Sequence, residues 1–489
     1  MSDRLSRRQF ATMLATSGGA LVVGFDSRSR SWITSARAQS APFHDVPKLD
    51  GTLLLDEGSR RAIAVDTGNM FHRVPAAVLR PGSVQDVVKM VKYANEHGLK
   101  IAGRGHAHSK YGQTQVEGGL VIDMNGIRAV QPPATDHIDA QPGAEWGDVA
   151  RAALDRGLTP PVLLTCMSLT VGGTLNAGGL GPTSQHHGAQ IDTVTELDVV
   201  TGDGRLVTCA ATKESELFNM VLGGQGQCGL IVRARIRLVR APTHVVLQNL
   251  LHRSAETFLA DQQRMVADGR FDHLDSIVNR EADGAWSFTM QVGTFQIGPQ
   301  EPTLAPLTEG LRFDHAAPQV RMTYAEYLYR NEERNTALLA GDRAFRPSPY
   351  LTMCIPASAT PSFVALILGT PRHLSGMTRY VFWPVNTRRF IRPLLRVPDE
   401  PQAFAFWLFR AAPLGDERAL SGILDSNREL LARMTAVGGT AYAPYTPVRT
   451  PAEWVEHFGP AVWKRFAAAK RKYDPKQVLS PYPAIFAAG

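Results

Sequence analysis

The segment Gly103 to Gln113, reading Gly-Arg-Gly-His-Ala-His-Ser-Lys-Tyr-Gly-Gln, constrains this chain more than any other. It follows the short, mostly apolar run Leu99 to Ala102 and packs three glycines, two histidines and an arginine into one sharp loop. Glycine admits positive φ and lets backbone N–H groups come close to a ligand. Consecutive amides in such a loop make a concavity suited to an anion such as a pyrophosphate. A histidine amid those glycines is badly placed for packing and well placed to touch a bound group. Two further glycine tracts follow, Leu169 to Gly179 and Gly223 to Gly229. One extended ligand threaded between the three tracts explains them together; three unrelated turns is the alternative.

One pattern in the third tract is a decoy. Gly224-x-Gly226-x-x-Gly229 matches the bare dinucleotide fingerprint, but that fingerprint must follow a strand, open a helix and be answered by an acidic residue about twenty positions on. Here the triplet leads into the strand-like run Leu230 to Val239, and position 249 is asparagine. A Rossmann nicotinamide site is excluded on context.

A length of 489 residues implies two or three domains. The formal charge of +7 is concentrated at the start: without residues 1–38 the chain holds 46 basic against 43 acidic side chains, or +3. That balance argues against a nucleic-acid partner, which needs a concentrated basic face. No apolar run of membrane-spanning length follows the N-terminus, so no membrane span is expected. Ser6-Arg7-Arg8-Gln9-Phe10, the apolar stretch Ala11 to Phe25 and the small-x-small triplet Ala36-Arg37-Ala38 together read as a twin-arginine export signal over residues 1–38. The expected location is therefore periplasmic or secreted. The four cysteines, Cys166, Cys209, Cys228 and Cys354, form neither a Cys-x-x-Cys unit nor a metal box.

Along the chain, Phe43 to Ile63 reads as an arm or short helix, Ala77 to Leu79 as a strand, and Ser83 as the N-cap of a helix closed by Gly98. Gly119 to Met124 is a strand, and Ala144 to Leu158 a helix. Leu230 to Val239 alternates apolar and arginine side chains, a half-buried strand with a cationic face. The texture changes at Arg240-Ala241-Pro242. Beyond it, helices (Phe258 to Val266, Asn427 to Ala436) mix with strands (Trp286 to Val292, Tyr350 to Ile355) and glycine clusters are lacking.

The loop Arg104-Gly105-His106-Ala107-His108-Ser109 resembles the Arg-Gly-x-Gly-His-Ser segment of cytokinin dehydrogenases, within the flavoprotein superfamily of vanillyl-alcohol oxidase and berberine bridge enzyme. The resemblance runs from Pro75 to Phe486. It continues through Leu169 to Leu175, His187 to Ile191, Asp198 to Gly202 and Leu222 to Gly229, and through Trp454 to Gly459, Trp463, Lys472 to Pro475 and Leu479 to Pro481. It implies an FAD-dependent oxidoreductase of α+β class. A PCMH-type FAD-binding domain would span residues 43–241, an antiparallel-sheet and helix cap domain 242–444, and a return to the FAD-binding domain 445–489. By the same resemblance His108 carries the flavin covalently. Flavin contacts are expected from Arg104, Gly105, His106, Ala107, Ser109 and Gln113, from Thr170, Gly172, Gly173, Thr174, Asn176 and Gly178, and from Gly226, Gly229, Leu230 and Ile231.

The chain departs from the family where the substrate amine is handled. Cytokinin dehydrogenases place an aspartate shortly before Leu-Thr-Val-Gly-Gly; here the segment is Leu164-Thr165-Cys166-Met167-Ser168, one residue shorter and without an acid. Berberine bridge-type relatives carry a flavin-bonded cysteine at the distance of Cys166, so Cys166 is either a second tether or a small core cysteine. Proton removal needs a base within hydrogen-bond reach. The candidates are Tyr324, Tyr327, His187 and Asn386, a tyrosinate serving if a cation lowers its pKa. The expected reaction takes hydride from a C–H next to an amine nitrogen or a hydroxyl of a small-molecule substrate, with dioxygen or a quinone-type acceptor reoxidising the flavin. The alternatives are a berberine bridge-type carbohydrate or alcohol oxidase with a doubly tethered flavin, and a flavin-binding protein without catalysis.

Overall fold

A short apolar run, a capped amphipathic helix and a second apolar run make the unit that presents the first glycine loop. The computed structural model describes residues 22–26, 31–34, 43–298, 304, 306–338, 345–447 and 449–486. It divides into two units, Met1–Lys48 and Leu49–Gly489. In the first, β1 (Val22–Asp26) pairs antiparallel with β2 (Ser31–Thr34), Phe25 opposite Trp32. Both strands fall within the expected export signal; their β-branched and aromatic residues suit strand pairing. Ser6 to Phe10 and Ala36 to Ala38 lie outside the described residues.

In the second unit the expected arm is β3 (Thr52–Leu54) and α1 (Glu57–Ala62). β4 (Ala77–Arg80) leads into α2 (Val84–His97), whose N-cap Ser83 accepts from Asp86 N at 3.3 Å and whose C-cap Gly98 is left-handed at φ 68°. The buried Asp86 carboxylate accepts from the amides of Asp50, Gly51 and Gly82 at 2.9, 2.7 and 2.9 Å, fastening the arm to this helix. β5 (Ile101–Arg104) and β6 (Leu120–Asp123) complete a four-stranded sheet in the order β3-β4-β6-β5. The last three strands are parallel. The glycine loop therefore leaves the carboxyl end of a parallel strand, where open α/β sheets form ligand crevices.

A second four-stranded sheet is antiparallel. It comprises β7 (His137–Ala140), β8 (Val194–Val200), β9 (Leu206–Ala210) and β10 (Leu230–Arg237), in the order β9-β8-β10-β7. Helices α3 (Trp146–Leu154), α4 (Val171–Ala177), α5 (Ser184–His187) and α6 (Ser215–Val221) lie between its strands in sequence. The stripe expected to be cationic on β10 is neutralised across the sheet. Arg233 reaches Asp198 and Glu196, each at 2.6 Å, and Asp139 at 3.1 Å, while Arg235 reaches Asp139 at 2.8 Å.

The region beyond Pro242 builds a nine-stranded sheet among the described residues. Its strands are β11 (His244–His252), β12 (His273–Arg280), β13 (Trp286–Gln296), β14 (His315–Ala316), β15 (Val320–Thr323), β16 (Leu351–Pro356), β17 (Met377–Asn386), β18 (Gln402–Arg410) and β19 (Thr440–Ala441). They run in the order β14-β11-β13-β12-β17-β18-β16-β19, with β15 also paired to β11. One face packs Phe288, Met290, Phe382, Phe404 and Phe406 with side chains of helices α7 (Ala255–Asp268), α10 (Thr360–Gly369) and α11 (Glu417–Ala436), named here with the intervening α8 (Tyr324–Tyr329) and α9 (Glu332–Leu338).

The last helices, α12 (Pro451–Phe458) and α13 (Pro460–Tyr473), return to the core of the antiparallel four-stranded sheet, where Trp454, Phe458, Phe466 and Tyr473 are buried. Truncating an aromatic anchor such as Trp454 to alanine removes about 3–5 kcal/mol. Buried Lys470 on α13 donates to the carbonyls of Gln227 (2.9 Å) and Leu479 (3.0 Å) and to the Asp474 carboxylate (2.7 Å). Ser480 N in turn donates to Ile101 O at 2.7 Å. The C-terminal segment thus ties the third glycine tract to β5.

Candidate active site

The first glycine loop is held open from below. Buried Asp66 accepts from Gly68 N (3.0 Å), Ser109 Oγ (3.0 Å) and Gly112 N (2.8 Å). Ala107 adopts φ 51°, a left-handed conformation costly for a residue with a Cβ. Among the described residues the amides of His106, Ala107, His108, Ser109 and Lys110 donate to no protein acceptor. Five unpaired N–H groups in one loop fit an anion.

The tracts meet. A Cβ on Gly105 would lie 2.2 Å from Thr170 Oγ1, so only glycine lets the first tract touch the second. Asn176 of the second accepts from Gln225 N through its carbonyl (3.0 Å) and from Gly226 N through Oδ1 (2.9 Å). Gln227 Nε2 donates to Ser480 O at 2.8 Å. Between them runs an open cleft of about 730 Å³. The cleft, the unpaired amides and the required glycines fit an extended dinucleotide cofactor.

Comparisons with known proteins agree. Residues 75–210 match the FAD binding domain family, and residues 299–486 match the family described as cytokinin dehydrogenase 1, FAD and cytokinin binding. Cytokinin dehydrogenase 9 of Oryza sativa subsp. japonica is 33% identical, across 91% of this chain and 93% of its own. The chain belongs to the cytokinin dehydrogenase family of FAD-dependent oxidoreductases. An uncharacterized oxidoreductase of the Rhodococcoides fascians fasciation locus is also 33% identical, over 88% of this chain and 98% of its own. The solved structure of 6-hydroxy-D-nicotine oxidase from Arthrobacter nicotinovorans shares the fold, with a TM-score of 0.69 at 22% identity, covering 89% of this chain and 98% of that one.

Of the expected flavin contacts, Arg104, Gly105, Ser109, Gln113, Thr170, Gly172, Gly173, Asn176, Gly226, Leu230 and Ile231 line the cleft of this family member. Arg104 does so while its Nη1 donates to Ile63 O (3.0 Å) and Val65 O (2.7 Å). Thr174, Gly178, Gly229, Ala107 and His106 lie outside that lining, the last two within the loop of unpaired amides. Thr174 Oγ1 accepts from Trp146 Nε1 at 2.7 Å. Gly178 (φ 128°) packs on Leu395, and Gly229 packs on Val199. Ala107 O accepts from Thr67 N at 3.0 Å. His106 Nε2 lies 3.6 Å from Glu145 Oε1.

His108 differs from all of these. Its ring is half-buried, and Nδ1 is enclosed without a hydrogen-bond partner. Burial, then the charges of Lys110 and His106, hold its pKa down to about 3, so the ring is neutral. Buried Lys110 donates to Thr67 O at 3.0 Å, sits 4.1 Å from the centre of the Tyr350 ring, and is pushed by burial down to about 8.

Cys166 is half-buried and shares a 3.3 Å hydrogen bond with Ser168 Oγ. Its thiol is pushed up chiefly by burial, and the Glu332 and Glu145 carboxylates add to this. Sequence reasoning missed the groups around it. Glu332 Oε1 accepts from Met167 N, and Asn335 Nδ2 donates to Thr165 O, both at 2.9 Å, so α9 clamps this segment. An aromatic wall of Trp383, Trp407 and Phe409 on β17 and β18 meets Tyr350, Tyr442 and Tyr445 at ring separations of 5.0–5.8 Å. Trp407 Nε1 is a buried donor without a partner.

The expected bases are corrected by the geometry. Tyr324 and Tyr327 are buried in the core, stacked at 5.8 Å. Tyr324 OH shares a 3.2 Å hydrogen bond with Thr159 Oγ1, and Tyr327 OH a 2.7 Å one with His273 Nδ1. Burial pushes Tyr324 up to about 12 and Tyr327 further, the direction opposite to a tyrosinate base. His187 ends α5, which packs beside Thr387–Arg389, and Asn386 Oδ1 there accepts from Arg388 N at 3.2 Å. That corner is separate from the residues lining the cleft.

Proposed function

We propose that this chain is an exported FAD-dependent enzyme that oxidises a C–H bond next to an amine nitrogen, with its flavin tethered through His108. The observation that carries the reading is the enclosed, unpartnered and neutral Nδ1 of His108 beside a loop of unpaired amides. In the tautomer that leaves Nδ1 unprotonated, a neutral ring offers there the nucleophilic lone pair that a tether requires. The Cys166 thiol, held protonated by burial and two carboxylates, is a poor one, so a single tether is favoured.

Bound FAD would supply the two-electron acceptor. The loop amides would hold its diphosphate, and the wall of Trp383, Trp407 and Phe409 offers flat faces on which a planar substrate can stack. Trp407 Nε1 has a proton to donate to a substrate acceptor. With no aspartate before the second tract, the amine is required to arrive as its free base, its own lone pair assisting departure of the hydride. Relatives named for cytokinin and a structural neighbour named for 6-hydroxy-D-nicotine support nitrogen over oxygen.

The test is anaerobic bleaching of the bound flavin by matched amines, alcohols and sugars. Rapid bleaching by amines is expected, with a rate rising as each amine deprotonates. Bleaching by sugars or alcohols alone overturns the amine reading, and bleaching by nothing supports a binding protein instead. Reoxidation by dioxygen against a quinone in the same cuvette assigns the acceptor. Export is tested by fractionation: Arg7→Lys/Arg8→Lys should hold the protein in the cytoplasm, and an unchanged distribution refutes the signal.

A further inference from the structure

A second, solvent-open cavity lies on the face of the nine-stranded sheet opposite its helices, under the segment joining α8 to α9. Three arginines line it: Arg330 from that segment, Arg334 from α9 and Arg379 from β17. One carboxylate lines it with them, Asp275 on β12, and it accepts from Trp383 Nε1 at 2.5 Å. Among the described residues no carboxylate lies within ion-pair distance of any of the three arginines. Arg379 Nε is buried without a partner. Arg330 is fixed in place, donating to Tyr327 O and lying 4.0 Å over the Tyr327 ring.

Three like charges gathered around one cavity repel one another. Planar guanidinium forks match the oxygens of a carboxylate or phosphate. One helix and one ring link the arginines to the Cys166 segment and the aromatic wall. Arg334 shares α9 with Glu332 and Asn335, which clamp the Cys166 segment, and Arg379 lies 5.9 Å from the Phe409 ring of the aromatic wall.

We propose that Arg330, Arg334 and Arg379 bind an anionic group carried by the substrate itself, so that the compound oxidised is an amine bearing a carboxylate or phosphate. This rests on the oxidase reading given above and names its substrate class.

The holoenzyme is titrated with an arylalkylamine carboxylic acid and with its carboxamide, and Kd is read from the shift of the flavin spectrum. The acid is expected to bind about ten- to hundredfold tighter than the amide, as for charge-assisted hydrogen bonds. In Arg334→Gln and Arg379→Gln that ratio should fall toward one, and Arg379→Lys should restore part of it. Equal binding of acid and amide by the wild type overturns the proposal, as does an undiminished ratio in variants with wild-type circular dichroism. Inorganic phosphate is expected to compete with the acid. Phosphate binding without any preference for acid over amide overturns the substrate assignment in favour of a free-anion site. Protein that carries no flavin refutes the oxidase reading, and calorimetry with phosphate then tests the arginine cavity by itself: binding lost in Arg334→Gln supports it and no binding by the wild type refutes it.

Discussion

Replacing Lys470 by methionine isolates the contact that closes the C-terminal segment onto the third glycine tract. Lys470 is 4% exposed and Asp474 fully buried, and the ammonium serves Asp474 Oδ2, Gln227 O and Leu479 O. Methionine keeps the stem's volume, so little of the effect comes from a cavity. Removing one partner of a buried ion pair costs about 3–5 kcal/mol. Asp474 retains the amides of Val478 (2.8 Å) and Leu479 (2.9 Å), which offset part of its loss. The expected destabilisation is therefore about 3 kcal/mol, the low end of that range, more than a hundredfold in the folding equilibrium. Denaturant titration followed by tryptophan fluorescence reads it, provided the midpoint moves without a change of slope. In a cycle with Asp474→Asn, the double variant should lose at least about 1 kcal/mol less than the sum of the singles. Because Gly226 and Ser480 line the cleft, the flavin content of purified Lys470→Met should fall with its stability. A loss under about 1 kcal/mol, with additive singles, would refute the view that this pair locks the cleft.

Lys110 gives a pH signature. Its folded pKa of about 8 lies below the unfolded 10.5, so its contribution to stability is full above 10.5 and is lost as the pH falls through about 8. Thermal stability of the wild type should therefore rise between pH 8 and 10.5 relative to Lys110→Met, and parallel curves would contradict the burial argument. Tyr327→Phe should lower stability by about 1–3 kcal/mol by stranding buried His273 Nδ1, while kcat stays within about twofold; a large loss of kcat in folded protein would restore the tyrosine as a base. Cys166→Ala should keep its flavin through denaturation, as judged by absorbance of the unfolded protein, and release of the flavin would make the cysteine a tether.

Features that depend on local backbone chemistry were open to reading in the sequence. The capped helix from Ser83 to Gly98 and the glycine tracts are such cases, since caps and close approaches restrict which residues fit. The direction of a side chain was not. Arg104 sits in the right loop, yet its guanidinium turns to the carbonyls of Ile63 and Val65, some forty positions back. Tyr324 and Tyr327 share one helix face, and sequence spacing does not distinguish a face that packs from one that meets a ligand. The arginine stripe on β10 looked cationic because its acids come from other strands, Asp139 on β7 and Glu196 and Asp198 on β8. The aromatic wall and the arginine cavity draw on strands that the nine-stranded sheet brings together, and Glu332 meets Met167 across 165 positions of sequence.

The most direct test of the account is the intact mass of the purified wild type after denaturation, beside His108→Ala and Cys166→Ala. The account predicts a wild type and a Cys166→Ala variant each heavier than its polypeptide by one FAD, and a His108→Ala variant at polypeptide mass. A denatured wild type at polypeptide mass, or a His108→Ala variant that still carries FAD, would contradict it.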